Sequence, residues 1–559
     1  MKRIVILAGI IIMIGAMNVA AMTVVAFQAH ADSVIDHFAR FDPVWATYQG
    51  IHNYDSLLAD YSRNNVAGFV SYLENEIKLL HSVDTTGWDI DNAIDFRLLV
   101  SNVKMQLFQV KTFPYWRKSP SIYSDECIQG IYYLVLRDYA PLDQKLPSYL
   151  GRLSAIPNVC RVAKTNLTEA APIFIETAIE SIDDGINLIS STGQMFSDKF
   201  PERKLEIDKA VSKASSALRD LNLYCMKLKT KAHGNYAIGS KNFEYLLHDI
   251  HMLNINSDSL LNLAYSIYDR ANTEMDSLAS RIPPSDTMPK YAIPNLGKQD
   301  VLGYYQWEIN KVRDFIKAKK LITIPGDLGN CVPMETPAFL RATVRGIAYE
   351  GPGPFDSLQT GYFYVRPLPD TFTDEQKSDY VDYISRRAFR GSVVHEAYPG
   401  HHLQLGLANR DHSPIRKIQQ DLVMVEGWAL YCEQMMYEQG LYGNDLKQWN
   451  GILGGIRFRA VRIMVDIGLQ TGQFNPETAL AFMNEKLGEN VYYYTAEIRR
   501  YCTYPTSALS YLTGKTMILR YRDKLASLQG DSFNLRDFHD KLLSEGSIPL
   551  SLIAEKYGW

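Results

Sequence analysis

A proline-glycine pair interrupts a helical stretch at the point where histidines crowd around a carboxylate. The segment reads Val394-His395-Glu396-Ala397-Tyr398-Pro399-Gly400-His401-His402-Leu403-Gln404 and holds three of the twelve histidines in a chain of 559 residues. In the pattern H-E-x-x-H, two histidines one helical turn apart grip a zinc ion, and the glutamate between them serves as general base. Here the spacing is longer, since His401 follows His395 by six residues and His402 by seven. On an unbroken helix His402 would share the face of His395 but lie roughly 10 Å further along the axis. Two imidazoles that far apart cannot hold one ion, and His401 would face another side. Pro399 has no N–H to donate and clashes with the carbonyl four residues back, that of His395. Gly400 permits an unusual backbone angle beside it. If the pair acts as a two-residue bulge, the string becomes His395-Glu396-Ala397-Tyr398-His401, which is the zincin spacing. The expected ligands are therefore His395 and His401, with Glu396 as base. His402 is the rival second ligand, or a group that supports the ligands from behind.

A catalytic zinc site takes three protein ligands and leaves one position open. Glu426 is the candidate for the third, in the run Glu426-Gly427-Trp428-Ala429-Leu430-Tyr431-Cys432-Glu433. Residues 415–438 have helical spacing, with Ile418, Leu422, Val425, Ala429 and Met436 mostly three or four apart. Glu433 lies two turns beyond Glu426, too far to share the ion, and is placed to orient a ligand histidine instead.

The strings His395 to Gln404 and Glu426 to Glu433 resemble the bacterial domain-of-unknown-function 885 family (DUF885), regarded as metallopeptidases. That family in turn resembles the gluzincins, such as thimet oligopeptidase and the Taq-type carboxypeptidases, in which a glutamate on a following helix is the third ligand. The resemblance covers most of the chain after the N-terminal segment. Weaker pieces are Phe41-Asp42-Pro43 to Tyr54-Asp55, Ala237-Ile238-Gly239, Gly361 to Val365, and Arg500-Tyr501 through Tyr511. In the last piece the family often reads R-Y-x-x-x-P-G-Q-A-L-x-Y. Arg500, Tyr501, Pro505, Ala508, Leu509 and Tyr511 match it, but Thr506-Ser507 stand where the glycine and glutamine would be. The replacement puts any role of that glutamine in doubt. Arg500, Tyr501 and Tyr511 remain candidates to stabilise a tetrahedral oxyanion. The resemblance also implies a substrate-pairing edge strand near the metal. The piece from Phe363 to Arg366 favours a short strand and is either that edge or a simple structural hairpin.

Helical spacing dominates residues 66–81, 93–110, 171–191, 205–229, 298–319, 374–394, 449–472 and 476–487. Residues 333–369 break it. The expected fold is mainly α, with two helical lobes around a cleft and a small antiparallel β element near the metal, gluzincin-like by resemblance. The proline-rich run from Ile282 to Pro294 suggests the boundary. The division is a signal peptide over 1–31, an N-terminal helical lobe over 32–282, a linker over 283–297 and a metal-binding lobe over 298–559. Lys2-Arg3, the apolar run from Ile4 to Phe27 and the small-x-small triplet Ala29-His30-Ala31 read as a secretory signal cut after Ala31. The apolar run is nearly long enough to span a bilayer, so an uncleaved membrane anchor is the alternative. Either places the bulk of the chain outside the cytoplasm, in a periplasm or secreted.

A net charge of −4, with no basic run, gives no electrostatic case for nucleic acid. The six cysteines lack C-x-x-C spacing and read mostly as buried thiols. The expected activity is zinc-dependent hydrolysis of oligopeptides, with trimming from one end. A zinc hydrolase of another amide or ester, and a non-catalytic periplasmic binding protein, are the alternatives. Glu396 argues against the last, because binding alone needs no base.

Overall fold

Apolar residues at three- and four-residue spacing build helices through most of the chain. The computed structural model describes residues 22–283, 301–341, 344, 346–369, 371–386 and 390–559. It is mainly helical, with one small sheet. The elements used below are α1 (Val24–Phe41), α2 (Ser121–Leu136), α3 (Pro172–Lys199), β1 (Cys331–Glu335), β2 (Ala348–Glu350), β3 (Gly361–Val365), α4 (Arg390–Glu396), α5 (His401–Ala408), α6 (Leu422–Glu438), α7 (Leu446–Gln470), α8 (Val491–Thr503) and α9 (Ser507–Gln529).

Most expected helices appear within a turn of their sequence boundaries, among them Arg63–His81, Ile90–Leu107, Lys204–Lys229 and Pro476–Leu487. Periodicity did not show where two long stretches divide. The span 415–438 splits into Pro414–Ile418 and α6. Asp421 causes the split: its carboxylate caps α6 by accepting the N–H groups of Val423 and Met424 at 3.0 and 3.3 Å. The span 374–394 consists of Asp374–Arg386 and the short α4.

The described residues form two large hydrophobic cores and a small cluster of Ile128, Tyr132 and Tyr364. The larger joins Phe27, Leu73, Leu98 and Phe243 to Ile309, Val393, Trp428 and Ile463. The second packs Tyr149, Leu153, Ile186 and Leu218, all within residues 123–225. A division at 283–297 does not follow these cores, since residues on both sides of it share the larger one. Apart from Pro283, that expected linker lies outside the described residues.

The expected N-terminal boundary at Ala31 falls inside a helix. Ala29-His30-Ala31, read as a cleavage site, lies in the middle of α1. Phe27 is fully buried, 5.2 and 5.6 Å by ring centroid from Trp88 and Phe96. A cut after Ala31 would split a helix whose buried positions 27, 31, 34, 35 and 38 keep helical spacing. Residues 1–21 of the expected signal or anchor lie outside the described residues. No described helix is long and apolar enough to cross a membrane.

The sheet is mixed, not purely antiparallel. Its order is β1-β3-β2, with β1 parallel and β2 antiparallel to β3. The sequence singled out β3 by its aromatic and β-branched residues. Strand β1 escaped notice because it carries Pro333, which an edge strand tolerates. Central β3 spends its backbone groups on both neighbours and cannot be a free edge. All six cysteines are buried free thiols.

Candidate functional site

Helix α4 ends at Glu396 and α5 begins at His401, so the proline-glycine pair does interrupt the helix. The turn folds back tightly, with the Gly400 N–H donating to the Val394 carbonyl at 3.0 Å. A Cβ on Gly400 would sit 1.8 Å from the His395 carbonyl oxygen, so the close approach requires glycine. Trp428 of α6 donates its indole N–H to the Pro399 carbonyl at 2.8 Å. That bond ties the turn to the helix that carries Glu426.

The result brings His395, His401 and Glu426 together. One Glu426 oxygen lies 3.5 Å from Nε2 of His395 and 3.4 Å from Nε2 of His401. One potential ligand atom from each residue lies within 4.8 Å of the others. Ligands held about 2.1 Å from a tetrahedral zinc stand about 3.4 Å from one another. The same Glu426 oxygen is buried and makes no hydrogen bond. Two imidazoles and a carboxylate suit zinc in donor chemistry, and both contacts to Glu426 have the spacing it needs.

Glu396 is on the same wall, 3.9 Å from Nε2 of His401. Burial raises the pKa of its carboxyl above the usual range, against the pull of the two histidines. Glu433 sits seven residues after Glu426 on α6, about 10 Å along the axis. The His395 ring spans that gap. Its Nδ1 donates to Glu433 at 2.9 Å, which leaves Nε2 facing Glu426. Arg459 of α7 holds Glu433 from the other side at 3.4 Å. Burial alone would lower the pKa of His395, but the carboxylates of Glu426 and Glu433 raise it to about 10. Glu426 itself is held well below the usual range, because the two histidines outweigh its burial.

His402 turns away from this cluster. Its Nδ1 meets the Tyr349 hydroxyl at 2.9 Å and its Nε2 the Gly329 carbonyl at 3.0 Å. Burial pushes its pKa down to about 4. It pins α5 to β2 and to the loop before β1.

The cluster opens onto a cavity of about 860 Å³, lined by α2 and α3 of the second core as well as by β2, α4, α6, α7 and α8. Edge strand β2, through Ala348 and Tyr349, borders the cavity; β3 does not. Of the three expected oxyanion groups, Tyr511 and Arg500 reach this wall. The Tyr511 ring lies nearly parallel to that of His395, centroids 6.2 Å apart, and its hydroxyl accepts from Arg500 at 3.4 Å. Tyr501 does not reach it: its side chain is fully buried and its hydroxyl donates to Glu497 at 2.5 Å.

A match to the family described as "Bacterial protein of unknown function (DUF885)" extends over residues 43–556. The chain belongs to the DUF885 family. No curated protein matches it significantly. Among the solved structures that share its fold are two described as lipoproteins. One is from Shewanella oneidensis, described as a candidate lipoprotein of unknown function; it is 23% identical with a TM-score of 0.76, covering 96% of this chain and all of that one. The other, from Colwellia psychrerythraea and also described as a candidate lipoprotein, is 19% identical with a TM-score of 0.79, covering 96% and 98%.

This DUF885 chain departs from its family pattern at Thr506, where φ is +69°. Glycine adopts that angle without cost, whereas a β-branched residue is strained there. Thr506 is held by its surroundings: its N–H donates to Asp466 at 3.3 Å and its hydroxyl meets His251 at 2.9 Å. His251 in turn meets Asp421, the cap of α6, at 2.7 Å. The Ser507 hydroxyl has no hydrogen-bond partner, and the residue does not line the cavity. The sequence reading missed Arg459, Arg462 and Glu497. Their one visible signal is the i, i+3 spacing of the two arginines, which puts both on the cavity face of α7.

Proposed function

We propose that this protein is a zinc-dependent peptidase that hydrolyses oligopeptides, with His395, His401 and Glu426 as ligands and Glu396 as general base. The observation that carries the reading is the Glu426 oxygen, buried without a hydrogen bond between two imidazole nitrogens at 3.4 and 3.5 Å. Zinc bound there supplies Lewis acidity, lowering the pKa of water and polarising a carbonyl. Glu396 takes the proton of the attacking water, and its raised pKa suits a base that must later give the proton up. Tyr511 offers its hydroxyl to the oxyanion, with the Arg500 guanidinium polarising that hydroxyl. Glu433 keeps His395 in the tautomer that presents Nε2. Edge strand β2 offers an extended substrate a backbone to pair with.

A carboxylate placed like Glu396 has no purpose in a site that only binds, which favours a hydrolase. The gluzincin-like character of the fold is part of the same proposal, supported by a glutamate ligand on a helix after the histidines. So is a location outside the cytoplasm, secreted or membrane-associated, supported by the two structural relatives described as lipoproteins.

Two measurements test the reading. Protein purified without chelator is expected to carry about one zinc per chain and to cleave quenched-fluorescence peptides, with activity lost to chelator and restored by zinc. Glu396→Gln is expected to keep the zinc and lose ~10²–10⁴-fold in turnover. Near-normal turnover in that variant, or failure of the native protein to take up zinc, overturns it.

A further inference from the structure

One stretch of the cavity wall carries two guanidinium groups that share a single ion-paired carboxylate. Arg462 of α7 and Arg500 of α8 both line it. They share one carboxylate, Glu497, which lies 2.9 Å from Nη2 of Arg500 and 3.9 Å from Nε of Arg462. Glu497 also accepts the Tyr501 hydroxyl. The two guanidinium groups, after burial's opposing pull, hold its pKa down at about 2, so it counts as one full negative charge. The neighbouring cations are already matched: Arg459 pairs with Glu433, and Arg499 with Glu180 and Glu176. Arg462 is 3% exposed, yet its Nε and Nη2 donate no hydrogen bond, and neither does Nε of Arg500. A buried positive charge with unused N–H groups is costly unless an anion completes it.

We propose that Arg462 and Arg500 form a carboxylate-binding subsite that captures the free C-terminal α-carboxylate of the substrate, so that the enzyme trims peptides from that end. This rests on the peptidase reading and adds the direction of attack. A planar guanidinium with a free N–H pair, as Arg462 has in Nε and Nη2, matches the two oxygens of a carboxylate, and Nε of Arg500 adds a third unused donor. Tyr511 measures the distance to the chemistry. Its ring lies 6.2 Å by centroid from that of His395, and the Arg462 guanidinium carbon lies 4.0 Å from the Tyr511 ring centroid on the way to the subsite. An extended chain advances roughly 3.3–3.6 Å per residue. The two legs bound the His395–Arg462 separation at roughly 10 Å, about three such steps, and the contacts at either end take up part of it, which leaves room for one or two residues between the scissile bond and the anchored carboxylate. The products are therefore single C-terminal amino acids or dipeptides. Glu180, Glu433 and Glu497 are each already paired with cations and do not offer a substrate amino group a free carboxylate.

The test uses the zinc-loaded native protein and pairs of short peptides identical except for a free or an amidated C-terminus. Mass spectrometry is expected to show one or two residues released from the free acid, and at least ten-fold slower cleavage of the amide. A parallel binding arm uses calorimetry on Glu396→Gln protein, where the free acid is expected to bind at least ten-fold more tightly than the amide. Arg500→Gln, checked for zinc content and thermal unfolding, should erase that difference. Should the arginine variants misfold, the peptide pairs on native protein still decide the matter. Equal cleavage of both peptides overturns the subsite and leaves the peptidase reading standing. An amidated peptide with an internal glutamate, cleaved as fast as the free acid, overturns the C-terminal assignment in favour of a side-chain carboxylate. Selective binding of the free acid without any cleavage supports the subsite and overturns the peptidase reading.

Discussion

His401 and His402 are neighbours with opposite duties, and each ring's partners show why. His401 points Nε2 at Glu426, while Nδ1 has no partner. Both nitrogens of His402 are taken up by Tyr349 and Gly329. His401→Ala is therefore expected to abolish zinc retention, whereas His402→Ala should keep zinc and lower thermal stability. Metal analysis and thermal unfolding of the two variants check this; the reverse ranking would make His402 the ligand. His539 behaves like His402 but lies behind α6. It is fully buried between the Tyr431 hydroxyl and the Leu321 carbonyl, and burial pushes its pKa down to about 4. The unfolded chain takes up a proton near pH 6.5 that the folded chain refuses until about pH 4. Its contribution to stability is thus complete above pH 6.5 and falls as the pH drops through that window. At pH 5 the loss is about 2 kcal/mol. His539→Gln should accordingly lose less melting temperature than the native protein between pH 7.5 and pH 5. An equal loss would mean that the imidazole is protonated in the fold.

At the scale of elements, the site depends on two helices that touch through glycine. A Cβ on Gly427 of α6 would stand 2.5 Å from the Gly514 Cα of α9, and one on Gly514 would stand 1.8 Å from the Val423 carbonyl oxygen. Glu426 precedes Gly427, and Tyr511 lies one turn before Gly514, so this crossing brings the Glu426 carboxylate and the Tyr511 phenol to one wall. Gly514→Ala must push the backbones apart, at a cost of about 1–3 kcal/mol or more. It is expected to lower the melting temperature and weaken zinc binding together. Unchanged zinc affinity would show that the crossing does not set the position of Glu426.

Across the whole molecule, the N-terminal helix shares a core with the helices that carry the His/Glu cluster. Phe27 and Ala31 of α1 belong to the same cluster as Val393 and Trp428. Protein beginning at Asp32 loses Phe27, a deletion worth about 3–5 kcal/mol by analogy with truncating a buried phenylalanine. It should melt well below protein beginning at Met22. Identical melting curves would show that the first turns of α1 are dispensable and that a cut after Ala31 is tolerable.

The convergence of His395 and His401 was readable in the chain because its logic is local. A proline without an N–H and a glycine without a Cβ must break a helix, and removing them restores a familiar spacing between His395 and His401. Glu426 and Glu433 were readable for a similar reason, since seven residues on a helix return to the same face. The helices themselves follow from apolar periodicity, which is also a short-range property. What periodicity could not decide was where Asp421 would cap α6, or that Pro333 would sit in a strand parallel to β3. The choice between His401 and His402 waited on Tyr349 and Gly329, both distant in sequence. Tyr501 and Tyr511 look equivalent in the chain, but Glu497 claims one hydroxyl and the cavity receives the other. Arg462 and Arg500 come from different helices, and only packing brings them to share Glu497. Burial, pairing and the counting of unmet N–H groups are properties of neighbours in space, and those neighbours are assembled only by the fold.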